Sequence, residues 1–348
     1  MMDDSVRPIR LAQIGYGYCG PNLARNFHQL PGAEVTYLVD KNAAALERAH
    51  RLYGCRTTDA PEPVFADPTV DAVVIATPAR THFTLAQDAL QAGKHVFVEK
   101  PLAMDIAEAR TLVDLGAAQG RVLRVGHVFE YNPAVHYIKQ AMASGELGEV
   151  FYLYSRRVNL GRVQSDVNAL WSIAPHDISI ALFLLDRLPE AVTCQGASCL
   201  NGVVEDVIFL TLHFPGNVLC HVHVSWLDPS KVREMTVVGS RKMIVYDDIE
   251  PSEKVKVYDK GLRLGESPDA RYQMLVGYRT GDMWAPKLDE TEALRVEAEH
   301  FVDCIAKGKP PRTDGRAGVR VVELVEAATS SMRGRGETVH LSTKAEQP

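Results

Sequence analysis

The sequence is short of several features that would each mark a special class of protein. It has no Cys-x-x-Cys pair. Its six cysteines, at 19, 55, 194, 199, 220 and 304, are scattered through 348 residues. That spacing fits reduced, structural thiols and argues against a disulfide framework or a zinc ribbon. Long apolar runs are missing too. The acidic start Met1-Met2-Asp3-Asp4-Ser5 is unlike a leader, and the first apolar run, Ile9 to Ile14, is far too short for a membrane span. Positive charge is not in excess: 38 Lys and Arg face 44 Asp and Glu, a formal net charge of −6, which argues against general polyanion binding. The expectation is a cytoplasmic protein with neither nucleic acid nor membrane as partner. What remains is ordinary for a soluble enzyme: 46% hydrophobic and 24% charged residues, with length enough for about two domains at roughly 150 residues each.

The informative stretch comes first. Arg10 to Ile14 reads as a strand, and Gly15-Tyr16-Gly17-Tyr18-Cys19-Gly20 follows it directly. Pro21 sits where a helix would begin, Leu23, Phe27 and Leu30 repeat at helical spacing, and Glu34 to Val39 reads as a second strand ending in Asp40. Strand, Gly-x-Gly-x-x-Gly, helix, strand and acid is the complete dinucleotide-binding context. Gly15 permits the turn, Gly17 lets backbone approach a pyrophosphate, and Gly20 packs helix on strand. Tyr18 and Cys19 complete the phosphate turn. Asp40, 20 residues after Gly20, suits the ribose hydroxyls and repels a 2′-phosphate, so NAD is expected over NADP, with Lys41 softening the preference. The alternative is that Asp40 caps the helix near Ala43.

Further βα units follow. Asp71 to Ala76 is a strand ending in Thr77-Pro78. Lys94 to Glu99 is another, ending in Lys100-Pro101, with a helix from Asp105 to Ala118 and a strand from Val122 to Val125 beyond it. Such repetition predicts a parallel, doubly wound sheet, with ligands at the carboxyl edge of its strands. Thr77 and Pro78 therefore line the nicotinamide half of the cofactor site, and Glu99 and Lys100 stand at the same edge. For His82, a cofactor contact and a local hydrogen bond are equally open. After Gly126 the pattern changes. Helices are expected over 133–144 and 175–185, then alternating strands from 191 to 246, then helices over 294–306 and 315–333. The fold class expected is α/β: a Rossmann domain over 1–126, then an α+β domain over 127–348 with a large, mostly antiparallel open sheet.

These motifs resemble the Gfo/Idh/MocA family of sugar and cyclitol oxidoreductases. The likeness rests on Gly15 to Asn22, Ile75-Ala76-Thr77-Pro78 with His82, Gly93 to Pro101, and Ala174-Pro175-His176-Asp177. Ser225 to Pro229, Val238 to Lys242 and Glu299-His300-Phe301 extend it over nearly the whole chain. Within the family it looks closest to the nucleotide-sugar and surface-polysaccharide branch. The resemblance implies that Lys100 and His176 face the carbon that exchanges hydride with nicotinamide. It also implies an open sheet carrying oligomer contacts, in homodimers or homotetramers. Many relatives carry an aspartate one helical turn before the histidine; here that position is Ser172, which can hydrogen-bond a sugar hydroxyl but cannot act as a base.

Oxidising a secondary alcohol sends hydride to nicotinamide and a proton to a base. The ammonium of Lys100 can stabilise a developing alkoxide, and His176, titrating near neutrality, suits proton transfer. Arg157, Asn168, Trp171, Ser172 and His176 are the candidate substrate contacts, with Asp166 another. Arg156, Arg157 and Arg162, with Lys231, Arg233, Arg241 and Lys242, are candidates for holding a diphosphate. The competing reading for each is a solvated strand end or an oligomer salt bridge. His221 and His223 share a strand face but lack a third ligand, so no metal site is expected. The leading expectation is an NAD-dependent dehydrogenase acting at the 3-hydroxyl of a UDP-N-acetyl amino sugar. The alternatives are an inositol or free-sugar dehydrogenase and, from another class, a non-catalytic nucleotide-sensing regulator.

Overall fold

The computed structural model describes residues 7–161, 163, 167–200, 202–264 and 276–341; Arg162, Asp166 and the terminal Lys344–Pro348 lie outside them. The chain divides into two compact units, Met1–Tyr131 with Thr291–Glu323 and Asn132–Glu290 with Leu324–Pro348. The sequence reading divides the chain once, near 126. The structure instead returns residues 291–323 to the first unit.

In chain order the first unit comprises β1 (Ile9–Ile14), α1 (Gly20–His28), β2 (Ala33–Val39), α2 (Ala43–Tyr53), β3 (Arg56–Thr58), α3 (Glu62–Ala66), β4 (Ala72–Ile75), α4 (His82–Gln91), β5 (His95–Glu99), α5 (Ile106–Ala118) and β6 (Leu123–Gly126). Its six strands lie in the order β3-β2-β1-β4-β5-β6, all parallel. That is the doubly wound order whose carboxyl edge opens where the sequence of strands reverses, at β1 and β4. Strands buried on both faces read as continuous apolar runs, and β4 has all four residues buried.

The returning segment explains itself by what it covers. Phe301 packs edge-to-face on Phe27 of α1 and Phe97 of β5, with ring centroids 6.2 and 5.6 Å apart, and Phe27 and Phe97 meet at 5.9 Å. The trio closes one face of the sheet, each aromatic pair adding about 0.5–1.5 kcal/mol beyond the area buried. Thr313 then covers the free edge of β6. Its carbonyl accepts from Val125 N–H at 2.9 Å and its hydroxyl donates to Val125 O at 2.8 Å, which blunts an edge that would otherwise invite pairing.

The second unit begins with α6 (Pro133–Ala143), β7 (Val150–Val158) and α7 (Ala169–Leu185). Strands β8 (Ala191–Ala197), β9 (Val207–Phe214), β10 (Val218–Ser225), β11 (Val232–Gly239), β12 (Met243–Asp247), β13 (Val255–Leu264) and β14 (Val276–Trp284) follow. Beyond them in the chain come α8 (Ala293–Lys307), which belongs to the first unit, α9 (Gly315–Arg333), which begins in the first unit and ends in the second, and the short β15 (Val339–His340) of the second. One nine-stranded sheet runs β14-β13-β12-β11-β7-β10-β9-β8-β15. Every pair is antiparallel except β7 with β10. Residues 150–158 form one continuous strand.

Helix α7 starts at Ala169, not at Pro175. Asn168 caps it, its side-chain oxygen accepting from Trp171 N–H at 3.1 Å. Pro175 resembles a first-turn proline in sequence, but it sits inside the helix. His176 is therefore in the body of α7 and not at its start.

Candidate active site

The glycine turn joins β1 to α1 at the carboxyl edge of the first sheet. Gly15 has φ +98°, and a Cβ there would lie 2.4 Å from Ala76 O; one on Gly20 would lie 2.5 Å from Gly15 O. Both positions therefore require glycine. Gly17 has nothing within 4 Å of where its Cβ would stand, so the turn presents bare backbone outward, and Tyr18 and Cys19 are exposed beside it. Helix α1 has no side-chain cap and no acid in its first turn, which leaves its positive end for phosphate. Asp40 accepts from Tyr16 N–H at 2.6 Å through one carboxylate oxygen and from Asn42 N–H at 2.8 Å through the other. It is not the cap of α2; Asn42 is, accepting from Ala44 and Ala45 N–H. Each oxygen of Asp40 keeps a lone pair for a ribose hydroxyl. Turn, helix end and acid together fit a dinucleotide.

Glu99 and Lys100 follow at the end of β5, and the Lys100–Pro101 bond is cis. Burial pushes the Glu99 carboxyl up, opposed chiefly by the Lys100 ammonium beside it. His82 is buried under this edge. Its Nδ1 lies 2.7 Å from Pro101 O and its Nε2 2.9 Å from Thr77 O. The imidazole thus bridges the loops after β4 and β5 and sets Thr77 and Pro78 against the turn that carries Lys100. Burial lowers its pKa, though both carbonyls favour the charged ring. Thr77 is further fixed by its hydroxyl, 2.7 Å from that of Thr81.

In the second unit α7 presents Ser172 and His176 four residues apart, hence on one face, both half-buried. Asp177, about 100° further round the helix, is buried and receives Arg157 Nε at 2.7 Å and Nη2 at 3.3 Å. Burial opposes the charge on Arg157, but Asp177 outweighs it and keeps the guanidinium firmly protonated. Arg157 is thus held inside the unit against the helix of His176. Asn168 is occupied by its cap and by a bond from Nδ2 to Glu205 at 2.8 Å. Trp171 is half-buried in the first turn. The other basic residues do not gather: Arg156 faces Glu234, Arg233 faces Asp248, and Lys242 faces Glu146 at 2.7 Å. His221 bonds Thr211 and His223 stacks on Phe209. Among the described residues no group of three or more His, Cys, Asp or Glu could hold a metal ion.

Sequence reasoning passed over four buried polar side chains in the first unit. Gln13 Nε2 donates to Gly15 O at 2.8 Å and Gly20 O at 2.9 Å, tying the two ends of the glycine turn. Arg124 of β6 and Glu297 of α8 are fully buried with Nη2 and Oε1 3.3 Å apart, and Arg124 lies over the rings of Phe97 and Tyr131. His127 is buried just past β6. The available signal was a polar residue inside an otherwise apolar strand, at Gln13 and Arg124.

Both parts of the chain match known proteins. Residues 9–127 match the model of an oxidoreductase family with an NAD-binding Rossmann fold, and residues 135–245 match the Gfo/Idh/MocA C-terminal domain. UDP-N-acetylglucosamine 3-dehydrogenase of Acidithiobacillus ferrooxidans is 28% identical, over 90% of this chain and 94% of its own. Its crystal structure aligns with a TM-score of 0.80 at 24% identity, covering 95% and 99% of the two chains. The scyllo-inositol 2-dehydrogenase of Bacillus subtilis is 25% identical over 97% of each.

Proposed function

Because this chain belongs to the Gfo/Idh/MocA family of NAD-binding oxidoreductases, we propose that it oxidises a secondary alcohol of a nucleotide-linked amino sugar, as a 3-dehydrogenase of UDP-N-acetylglucosamine or a close derivative. The observation that carries the reading is Lys100 at the carboxyl edge of β5, on a loop that His82 ties to the Thr77 loop. Bound NAD supplies the hydride acceptor. Glycines 15, 17 and 20 hold its pyrophosphate and Asp40 its ribose. The Lys100 ammonium donates to the substrate oxygen and stabilises alkoxide as it develops. His176 takes up the proton, while Ser172 hydrogen-bonds the sugar without supplying charge. The name of the Acidithiobacillus relative supports the nucleotide-sugar class.

A second reading has its own support. Arg156, Arg157, Arg233 and Lys242 are each held by a carboxylate rather than converging as a diphosphate grip. That favours an uncharged polyol, as acted on by the inositol-dehydrogenase relative. The deciding experiment follows NADH formation with NAD and a panel of UDP-N-acetylglucosamine, its uronate, inositols and free aldoses. Turnover is expected with the UDP-sugars, falling about 10²–10⁴-fold in Lys100→Ala. Turnover that survives this substitution removes Lys100 from the mechanism; inositol oxidation alone selects the second reading. NAD binding without turnover on any member points to a nucleotide sensor. We further propose a homo-oligomer paired through the open sheet and a cytoplasmic location, in keeping with six free thiols. No helix among the described residues is long and apolar enough to cross a membrane.

A further inference from the structure

Behind the glycine turn lies a buried amide that the proposed chemistry leaves unused. Gln13 of β1 is 2% exposed and is paired in register with Leu38 of β2 and Val74 of β4, both buried. Its Nε2 donates to Gly15 O at 2.8 Å and to Gly20 O at 2.9 Å. Both partners are carbonyl oxygens, which only accept, so the amide nitrogen must face the turn and uses both of its N–H groups there. Oε1 is buried, and among the described residues no hydrogen bond reaches it. Burying an acceptor without a partner is destabilising. A methionine or leucine would fill similar space among these apolar neighbours without that cost, so packing alone does not account for a glutamine here.

What the amide holds is the shape of the turn. Gly15 and Gly20 close so tightly that a Cβ on Gly20 would lie 2.5 Å from Gly15 O and 3.0 Å from Gln13 Nε2. The two carbonyl oxygens repel each other at such an approach, and the nitrogen they share offsets that repulsion. The effect passes on to Asp40. In a trans peptide the C=O and N–H point in opposite directions, so fixing Gly15 O also aims the N–H of Tyr16, which Asp40 Oδ2 accepts at 2.6 Å. Hydrogen bonds thus run in a chain from Gln13 through the Gly15–Tyr16 peptide to Asp40, each polarising the next. One side chain of β1 reaches both the phosphate turn and the carboxylate beside it.

We propose that Gln13 is a positioning residue for the dinucleotide: its amide sets the spacing of the glycine turn against the pyrophosphate and, through the Gly15–Tyr16 peptide, the aim of Asp40 at the ribose. This rests on the reading that the turn and Asp40 hold NAD, and it is tested by NAD binding, with no substrate needed. Calorimetric titration of Gln13→Met, which keeps the volume and loses both donors, is expected to show NAD bound about tenfold more weakly than by the native protein. Gln13→Glu adds a readout that packing would not move. Its carboxyl has the same shape; protonated, it donates to one of the two carbonyls, and ionised it repels both. Burial holds such a carboxyl protonated above its ordinary range, so the ratio of its Kd to the native Kd is expected to stay within about threefold near pH 6 and to rise at least about tenfold towards pH 9. With an active substrate, the KM for NAD rises in Gln13→Met by the same factor as the Kd, while kcat at saturating NAD stays within about twofold. A folded Gln13→Met protein that binds NAD as the native protein does overturns the proposal, and so does a Gln13→Glu ratio that is flat with pH. Should Gln13→Met not fold, Gln13→Glu decides; should neither fold, Gln13 serves the fold alone and the proposal is overturned. Asp40→Ser, titrated alongside, separates the two readings. Weakening in Asp40→Ser but not in Gln13→Met defeats the proposal alone, whereas NAD binding unchanged in both places the cofactor elsewhere and defeats both.

Discussion

Asp40 accepts two backbone amides at once, closing the glycine turn through Tyr16 and starting the next helix through Asn42. On the reading we propose, its carboxylate is thereby fixed to hold the ribose, where its charge would oppose a 2′-phosphate. Asp40→Ser is expected to weaken NAD about ten- to hundredfold, the loss of about 1.5–3 kcal/mol in hydrogen bonds to a charged group. The ratio of kcat/KM for NADP to that for NAD should rise in the same variant, since Lys41 stands next in sequence. An unchanged ratio places the adenosine elsewhere. This part of the site was legible in the sequence because a nucleotide turn is a local device whose residues lie at fixed spacing. Gln13 belongs to the same turn but was not legible. Nothing in a single strand shows which carbonyls a buried amide will reach.

Pairs of elements are held by buried charges, and these set how stability responds to pH. Arg124 of β6 meets Glu297 of α8 with both side chains fully buried. Burial raises the Glu297 carboxyl to about 8, against the pull of Arg124, and Glu130 nearby is raised to about 8 for the same reason. Each folded-state value lies above the ordinary 4.5, so between those limits the folded protein holds protons that the unfolded chain releases. The contribution of these two carboxyls to stability therefore falls as pH rises from about 5 to about 8, then levels off. The slope of the urea midpoint against pH across that range should be less negative in Glu297→Gln than in the native protein; equal slopes would show that Glu297 is not the group responsible. In the second unit Asp177→Ala takes from the buried Arg157 the carboxylate it is bonded to and should cost about 3–5 kcal/mol, while Arg157→Met with Asp177→Leu should recover most of it. A single-variant loss below about 1 kcal/mol in urea unfolding would place that pair effectively in solvent. Helix and strand positions were mostly legible, since periodicity is local. The exceptions are telling. Pro175 imitates a helix start, and the capping by Asn168 shows only once Glu205 and Trp171 are in place. The return of Phe301 to Phe27 and Phe97 depends on contacts more than two hundred residues apart, which no window on the sequence contains.

At the scale of the whole molecule, the nine-stranded sheet has two unlike faces. Helix α7 packs on one side, where Leu153, Arg157, Cys220, Val222 and Leu210 are buried. The other side of the central strands exposes Tyr152, Tyr154, Phe209 and Leu219, with Leu219 beside Tyr152 and His223 beside Phe209 in the register. An aromatic patch of this kind on a broad sheet marks an interaction surface. A second copy of the chain is the occupant we propose, because a patch on a two-fold axis meets itself and needs little charge. This one supplies little: Arg156 is offset by Glu234, and burial lowers the pKa of both His221 and His223, favouring neutral rings. Light scattering should give a multiple of the 38.4 kDa chain mass, and Phe209→Glu with Tyr154→Lys should reduce it to a single chain. Acid supplies an independent check with a definite sign. Protonating His221 and His223 places like charges on both copies across the axis, so dissociation should increase as pH falls below their lowered pKa values. His221→Gln with His223→Gln should blunt that acid sensitivity while leaving the neutral-pH mass unchanged. A chain that is already single at neutral pH and micromolar concentration removes the second copy as occupant of this face.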